Sequence, residues 1–461
     1  MATTGFTPQL PLPVNEAPRL IRIWRWMFNP IGVLRNCRDR FGDIFQMNPY
    51  SVVLGHPDHI SELFARDGRE LSTPGSVNGV LRPILGDQSV LMLSGDRHRH
   101  RRKLLLPPFH GKALQSYGDA IQRVAQDMCD QWQPGQRLNA RRLAEELTLR
   151  VIMETVFGLR AGDRYREMEP LMNEMVNMIS TPAKSCFLFF KVLQKSWGPW
   201  GKFERSRDRL DQLLRQELAE RREQLAARSD EGDSGDRQNN QRQDILSLLL
   251  ATRDEDGNPL TDDELRDELM TLLFAGHETT ASALAWVMYW LQAQPECLQK
   301  LREELDAMPE DAPPMAMAKL PYLTAVCNET LRIHPIAIVV FPRFVEKTFN
   351  LGGYEIREGL MMMGSVYLVH HHPDIYPEPD RFRPERFLER TFSATEFMPF
   401  GGGSRRCIGS ALAMAELAIA VGTWVKQGNF KLQESGPLKP ARRGVTMGPK
   451  GGVNVKFLGR R

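Results

Sequence analysis

Cys407 stands in the run Phe400-Gly401-Gly402-Gly403-Ser404-Arg405-Arg406-Cys407-Ile408-Gly409. A cysteine ligates a metal as its thiolate, and nearby cations and the N–H groups of a helix start stabilise that anion. Both are supplied here. Two arginines precede the cysteine, and a helical pattern opens at Ser410 and runs to Lys426. The glycines let the backbone approach a large flat cofactor. Arg405 can reach an acidic group on it, and Phe400 can cover the sulfur. The competing reading is an ordinary glycine-rich turn.

A second constellation is Ala275-Gly276-His277-Glu278-Thr279-Thr280, inside an apolar stretch of a helix predicted over Asp262 to Gln292. Glycine in a helix interior costs about 0.5–1 kcal/mol relative to alanine. A glycine, an acid and a threonine together in such a helix therefore want a reason. Thr279 can return a hydrogen bond to the carbonyl one turn earlier. A polar patch on an amphipathic helix is the alternative. A zinc-protease reading fails, because His277-Glu278 would need a histidine where Ala281 stands.

Further along, Glu329 and Arg332 share a helix face at i, i+3, and Pro384-Glu385-Arg386-Phe387 follows. His98 and Arg102 are i, i+4 within the basic run Arg97 to Lys103. His370-His371-His372 cannot converge on one ion in a regular element and reads as a loop leading to Pro373.

These residues need elements to position them. Phe41 to Leu54 predicts a hairpin, with Ile44, Phe45 and Met47 on one arm and Val52 to Leu54 on the other. His56-Pro57 opens a short helix. Ser72 to Ser94 predicts a long loop of functional type. Arg82 is its only cation. Helical patterns continue through Leu159. Met168, Met172, Met175 and Met178 recur at helical spacing before Phe187, Phe189 and Phe190, which fits either core packing or a pliable apolar cavity wall. The polar segment 228–243 has the composition of a flexible loop. Strand patterns are few and short, so the fold class is mainly α with small β-sheets.

Composition is that of a soluble globular chain, with 42% hydrophobic and 25% charged residues among 461. A formal charge of +3 and a basic run without interleaved aromatics argue against nucleic-acid binding. Six scattered cysteines without a C-x-x-C pair fit a reducing, cytoplasmic setting. No apolar run reaches the roughly 18 residues of a membrane span. Arg19 to Phe28, RLIRIWRWMF, is read as a packed first helix in preference to a membrane-surface helix, so membrane contact is at most peripheral.

The order Phe-x-x-Gly-x-Arg-x-Cys-x-Gly resembles the haem-binding signature of the cytochrome P-450 monooxygenases. AGHETT resembles their oxygen-binding helix, and Glu-x-x-Arg followed by Pro-Glu-Arg-Phe occurs in their order. The resemblance spans nearly the whole chain. It implies one cytochrome P-450 domain over 1–461, with 1–40 as an N-terminal segment and haem b (iron protoporphyrin IX) as cofactor. It makes Cys407 the axial ligand, with Phe400 and Arg405 beside the haem. Ala275 and Gly276 would leave room for O2, and Thr279 and Glu278 would manage protons. Glu329, Arg332 and Arg386 would form a buried structural network.

The resemblance further places His98, Arg102 and Arg343 at haem propionates. Ile336, Ala337, Ile338 and Val339 would face the substrate, with Met175 in the cavity and Arg82 as anchor for a carboxylate. No electron-transfer module is visible, so electrons would come from a ferredoxin or similar donor with its reductase, docked on Arg97, Arg101, Lys103 and Arg406. The substrate would be a small apolar molecule, a fatty acid or a terpenoid. A peroxygenase using hydrogen peroxide and a non-catalytic thiolate-haem carrier or sensor are the alternatives.

Overall fold

The computed structural model describes residues 11–178, 187, 193–230 and 243–461. The chain forms two compact units that share it in interleaved segments. One, the sheet unit, comprises Met1–Pro74, Leu331–Phe382 and Arg390–Cys407. The other, the helical unit, comprises Gly75–Thr330, Arg383–Glu389 and Ile408–Arg461.

The sheet unit begins with α1 (Arg19–Phe28) and α2 (Pro30–Phe41). The predicted hairpin follows as β1 (Ile44–Asn48) and β2 (Ser51–Leu54), pairing Ile44 with Leu54. Then come α3 (Pro57–Ala65) and β3 (Leu71–Ser72), and later β5 (Arg343–Val345), β6 (Phe349–Leu351), β7 (Tyr354–Ile356), β8 (Met361–Gly364) and α14 (Val366–His370). The main sheet has the order β1-β2-β8-β5-β3, and β6 pairs with β7. β2 runs parallel to β8, with Ser51 opposite Met361. Val52, Leu54, Ile60, Leu63, Val340, Met362 and Tyr376 close its core.

The helical unit contains α4 (Arg82–Leu85), α5 (Gly95–Leu105), α6 (Gly111–Asp130), β4 (Arg137–Asn139), α7 (Ala140–Thr155), α8 (Asp163–Asn177), α9 (Pro199–Asp230) and α10 (Ile245–Ala251). α11 (Asp262–Ala293), α12 (Pro295–Asp306), α13 (Pro321–Ile333), α15 (Arg386–Glu389) and α16 (Ser410–Gln427) follow. α13 continues past Thr330 into the sheet unit. β9 (Gly428–Leu432) and β12 (Asn454–Arg460) form a sheet with β4, while β10 (Pro440–Arg443) pairs with β11 (Thr446–Pro449). α11 starts at a capping box: the Thr261 hydroxyl accepts from Glu264 N, and Thr261 N donates to the Glu264 carboxylate. Two orphan donors are satisfied at once. The helix then runs apolar and buried, packed along α7.

Several expectations need correction. Ser72 to Ser94 is not one loop, because Gly75–Leu81 forms 3-10 turns and Arg82 opens α4. Arg82 is 60% exposed and pairs with Asp87 at 2.8 Å, so its charge is already matched at the surface. Met168, Met172 and Met175 are buried together on α8 and are core packing rather than cavity wall. Phe189 and Phe190 lie outside the described residues. Of 228–243, the first residues complete α9, and 231–242 lie outside the described residues. His370 ends α14 rather than lying in a loop. α1 forms as predicted, but none of its residues is buried, so it is not a packed helix.

Candidate functional site

In the sheet unit, Cys407 is exposed at the end of the glycine-rich loop, and its N–H donates to Phe400 O at 3.0 Å. Phe400 is half-buried. Gly403 has φ +66, and a Cβ there would meet Asp67 Oδ2 at 2.4 Å and Arg343 Nη2 at 2.7 Å. The backbone conformation and the crowding both exclude a side chain. Gly402 likewise lies against the Phe64 ring at the end of α3. These glycines thus serve the loop's own packing as well as any approach to a cofactor.

Asp67 is the hub of this region. Its carboxylate accepts from Arg343 Nε and Nη2 at 3.0 Å each, from Ser404 N at 3.1 Å and from Ser404 Oγ at 3.2 Å. Arg343 is fully buried and also donates to Gly402 O at 2.9 Å and to Phe341 O. A bidentate arginine–carboxylate pair of this kind is strong and geometrically fixed. Arg405 donates to Thr73 O, and its guanidinium lies over the Phe341 ring at 4.6 Å. The loop before Cys407 is therefore held at both Ser404 and Arg405. Nothing in the sequence pattern singles out Asp67, which lies 276 residues before its partner Arg343.

In the helical unit, the buried run of α11 opens at one stripe. Ala275 is exposed, and Leu272, Gly276 and Thr279 are half-buried. The spacing i, i+3, i+4, i+7 puts them on one helix face. A Cβ on Gly276 would meet nothing closer than Ile152 Cδ1 at 3.4 Å, an ordinary contact. Packing alone does not demand glycine there. An accessible apolar stripe in a core helix fits a flat hydrophobic group or a small ligand against it. The Thr279 hydroxyl donates to Ala275 O at 2.6 Å, the back-bond expected from the sequence.

Glu278 is buried on another face. Its Oε1 accepts from Arg141 Nη2 at 2.6 Å and from Arg443 Nε at 3.1 Å. Arg141 also reaches Ser282 Oγ and, at 2.9 Å, Glu145. Glu278 and Thr279 are chain neighbours, but this cluster, and not the accessible stripe, holds the carboxylate. Burial keeps the neighbouring His277 imidazole below its usual pKa, in its neutral form.

His98 is buried on α5 and Arg102 is half-buried one turn later. Arg101 corrects the proposed docking face. It is buried, with Nη1 on Glu268 at 3.0 Å and Nη2 on Glu264. Arg97 and Lys103 remain exposed, with Lys103 paired to Glu255. In the sheet unit Arg406 is exposed.

Glu329 and Arg386 are buried and paired, Arg386 Nε donating at 3.1 Å; Arg383 N donates to the same oxygen at 2.8 Å. Arg332, also fully buried, donates to His370 O and Pro379 O at 2.8 Å each. His370 accepts from Met398 N at 3.0 Å, and burial pushes its pKa down to about 3. It is a neutral structural acceptor. Among the described residues no cluster of His, Cys, Asp and Glu is placed to hold a metal ion by itself. In the segment after α13, Ala337 is exposed and Val339 half-buried, while Ile336 and Ile338 are buried. Ile336 and Ile338 are thus core residues and not substrate-facing.

The donor set fits a cofactor that brings its own metal cage. The sheet unit offers one accessible thiol and arginines at fixed positions; the helical unit, taken by itself, offers an accessible apolar helix stripe. The family model "Cytochrome P450" matches residues 16–455. Cytochrome P450 135A1 of Mycobacterium tuberculosis is 33% identical over all of this chain and 96% of its own. Cytochrome P450 135B1 of Mycobacterium bovis is 32% identical over 92% of this chain and 86% of its own. The solved structure "Retinoic acid bound cyanobacterial CYP120A1" shares the fold, with a TM-score of 0.82, 23% identity and coverage of 98% and 99% of the two chains. No helix among the described residues is long and apolar enough to cross a membrane. The chain belongs to the cytochrome P450 family, the haem-thiolate monooxygenases, which use protoporphyrin IX haem, O2 and electrons from a redox partner.

Proposed function

We propose that this chain inserts one oxygen atom of O2 into a C–H bond or double bond of an apolar lipid-type substrate, a fatty acid or a terpenoid. Haem supplies the oxidising chemistry when bound, and thiolate ligation favours O–O cleavage. Cys407 would hold the haem iron through its thiolate. The hub at Asp67 keeps its loop in one geometry; Arg343 spends its donors on Asp67 and two carbonyls and not on a propionate, and Arg405, His98 and Arg102 would serve the haem propionates. Thr279 holds a proton at its hydroxyl on the accessible stripe of α11. Glu278, held by Arg141 and Arg443, belongs to the proton route. Glu329, Arg332 and Arg386 carry structure. Electrons come from a ferredoxin-type donor, for which exposed Arg97, Lys103 and Arg406 offer positive charge.

The observation that carries the substrate reading is the chemistry of the accessible residues. On α11, Leu272, Ala275 and Gly276 offer hydrocarbon and no charge. The structural neighbour binds retinoic acid, an isoprenoid carboxylic acid, which supports the same class. The test is titration of the haem-loaded protein with palmitic acid, retinoic acid and a polar aromatic amino acid, read as a low-to-high-spin shift. One of the two lipids shifts the spectrum and the amino acid does not. A shift only with the amino acid overturns the substrate class. Cys407→Ser abolishes the long-wavelength band of the ferrous–CO complex; an unchanged band rules out Cys407 as ligand. Retention of peroxide-driven turnover with loss of NADH-driven turnover in the presence of ferredoxin and its reductase would favour the peroxygenase.

A further inference from the structure

We propose that α1 is a membrane-surface helix that seats the protein on anionic bilayers. At about 100° per residue, its apolar side chains Leu20, Ile21, Ile23, Trp24, Met27 and Phe28 fall within roughly 160° of arc. Arg19, Arg22 and Arg25 occupy the other side. This apolar face is left open to solvent among the described residues. Leu20 is 79% and Trp24 64% exposed, and Ile21, Ile23 and Phe28 are exposed with them. Trp24 and Phe28 rings lie 5.5 Å apart and make one aromatic wedge.

The helix is not a loose end. Asn15 N donates to Gln46 O at 3.0 Å, and Gln46 N donates to Pro13 O at 2.8 Å, so the segment before α1 is fastened to β1. Arg22 Nη1 donates to Asn15 O at 2.9 Å. After α1, the Asn29 side chain caps α2 by accepting from Gly32 N, and Pro30 is buried. Both ends are anchored while the apolar face stays out.

Ten residues span about 15 Å, half a hydrocarbon core, so α1 lies in the interface and does not cross it. The arginine side selects the partner. Cations beside an apolar arc complement anionic headgroups, and an aromatic ring and acyl-facing aliphatics bury below them. A neutral protein partner would leave three arginines without counter-charge.

The test is co-sedimentation of the full haem-loaded chain with phosphatidylglycerol-containing vesicles and with pure phosphatidylcholine vesicles. We expect binding to the anionic vesicles, weakened by salt. Arg19→Gln and Arg25→Gln each weaken it by about fivefold. Ile23→Ser with Trp24→Ser abolishes it and leaves the CO spectrum and circular dichroism unchanged, because no α1 residue is buried. Failure to sediment with either vesicle overturns the proposal, and so does equal binding to both. If Trp24→Ser instead turns a solution dimer into a monomer, a second copy covers the face. If vesicle binding appears only after residues 2–10 are removed, those residues cover it. Either result overturns the proposal.

Discussion

Asp67 is a half-buried carboxylate and Glu278 a buried one, and both are held by arginine, but they are built differently. Asp67 gathers four hydrogen bonds onto two oxygens, two of them from backbone and hydroxyl of Ser404 in the cysteine loop. Its arginine, Arg343, has no second carboxylate partner among the described residues and spends its other donors on carbonyls. Glu278 uses one oxygen for two arginines, and its Oε2 finds no hydrogen bond among the described residues. Both arginines keep Glu145 as well. The first arrangement is a fixed clamp. The second is redundant: its acid can leave and the cations stay partly paired. Positioning a ligand loop wants the clamp, and moving a proton wants the redundancy.

Removing the clamp's charge gives the largest effect. Asp67→Asn leaves a fully buried Arg343 without its counter-ion, and breaking such a pair costs about 3–5 kcal/mol. Urea unfolding measures that loss. The same variant loosens Ser404, so the ferrous–CO spectrum gains the short-wavelength form in which the thiolate is not bound. A loss below about 1 kcal/mol with an unchanged spectrum would mean that the carbonyl bonds alone hold the loop.

Glu416 on α16 is the carboxylate with neither arrangement. It is buried, its Oε1 has no hydrogen bond among the described residues, and burial alone pushes its pKa from 4.5 up to about 8. The folded state therefore keeps a proton that the unfolded chain releases near 4.5. Stability from this group falls as pH rises from about 4.5 to about 8. Glu416→Gln removes that slope, and at pH 8 it is the more stable protein by roughly 4 kcal/mol. Thermal melts of both proteins at pH 5 and pH 8 read it directly. Parallel pH dependences would show that Glu416 has a charged partner.

The two carboxylates also show what a sequence can and cannot tell. The glycine-rich loop before Cys407, the Thr279 back-bond on α11, the first hairpin and the helix from Ser410 were legible as local structure, because local spacing specifies them. Glu278 was legible as a residue but not in its partners. Arg141 and Arg443 come from 137 and 165 residues away and are surface-type residues in composition. Asp67 was not legible at all, for the same reason. Arg101 was misread because charge density in a run does not say which cation turns inward; Glu264 and Glu268, a turn apart on α11, decide it. Ile336 and Ile338 were misread because an apolar run does not say which of its side chains turn into the core.

Glu278→Gln tests the redundant side and costs less than Asp67→Asn. Arg141 keeps Glu145 and Ser282, so about 1–2 kcal/mol is lost, close to that of a charge-assisted hydrogen bond. Its larger effect falls on product yield per NADH, which decreases while substrate-induced spin shifts stay intact. A stability loss equal to that of Asp67→Asn would show that the cluster is a second clamp and would count against a carboxylate that moves.

The exposed pair of Arg82 and Asp87 sets the foot of the scale. The contact, 2.8 Å, is as short as those at Asp67, but both side chains are more than half exposed. Solvent screens the attraction and already satisfies either charge alone, so Asp87→Asn changes stability by less than about 0.5 kcal/mol. Arg82→Ala likewise leaves the spin shift with a fatty acid unchanged, since the side chain meets Asp87 and water. If Asp87→Asn matched the loss at Asp67, distance and not burial would govern these pairs, and the contrast between clamp and redundant cluster would fall. If Arg82→Ala weakened fatty-acid binding tenfold, Arg82 would be released from Asp87 to hold the carboxylate.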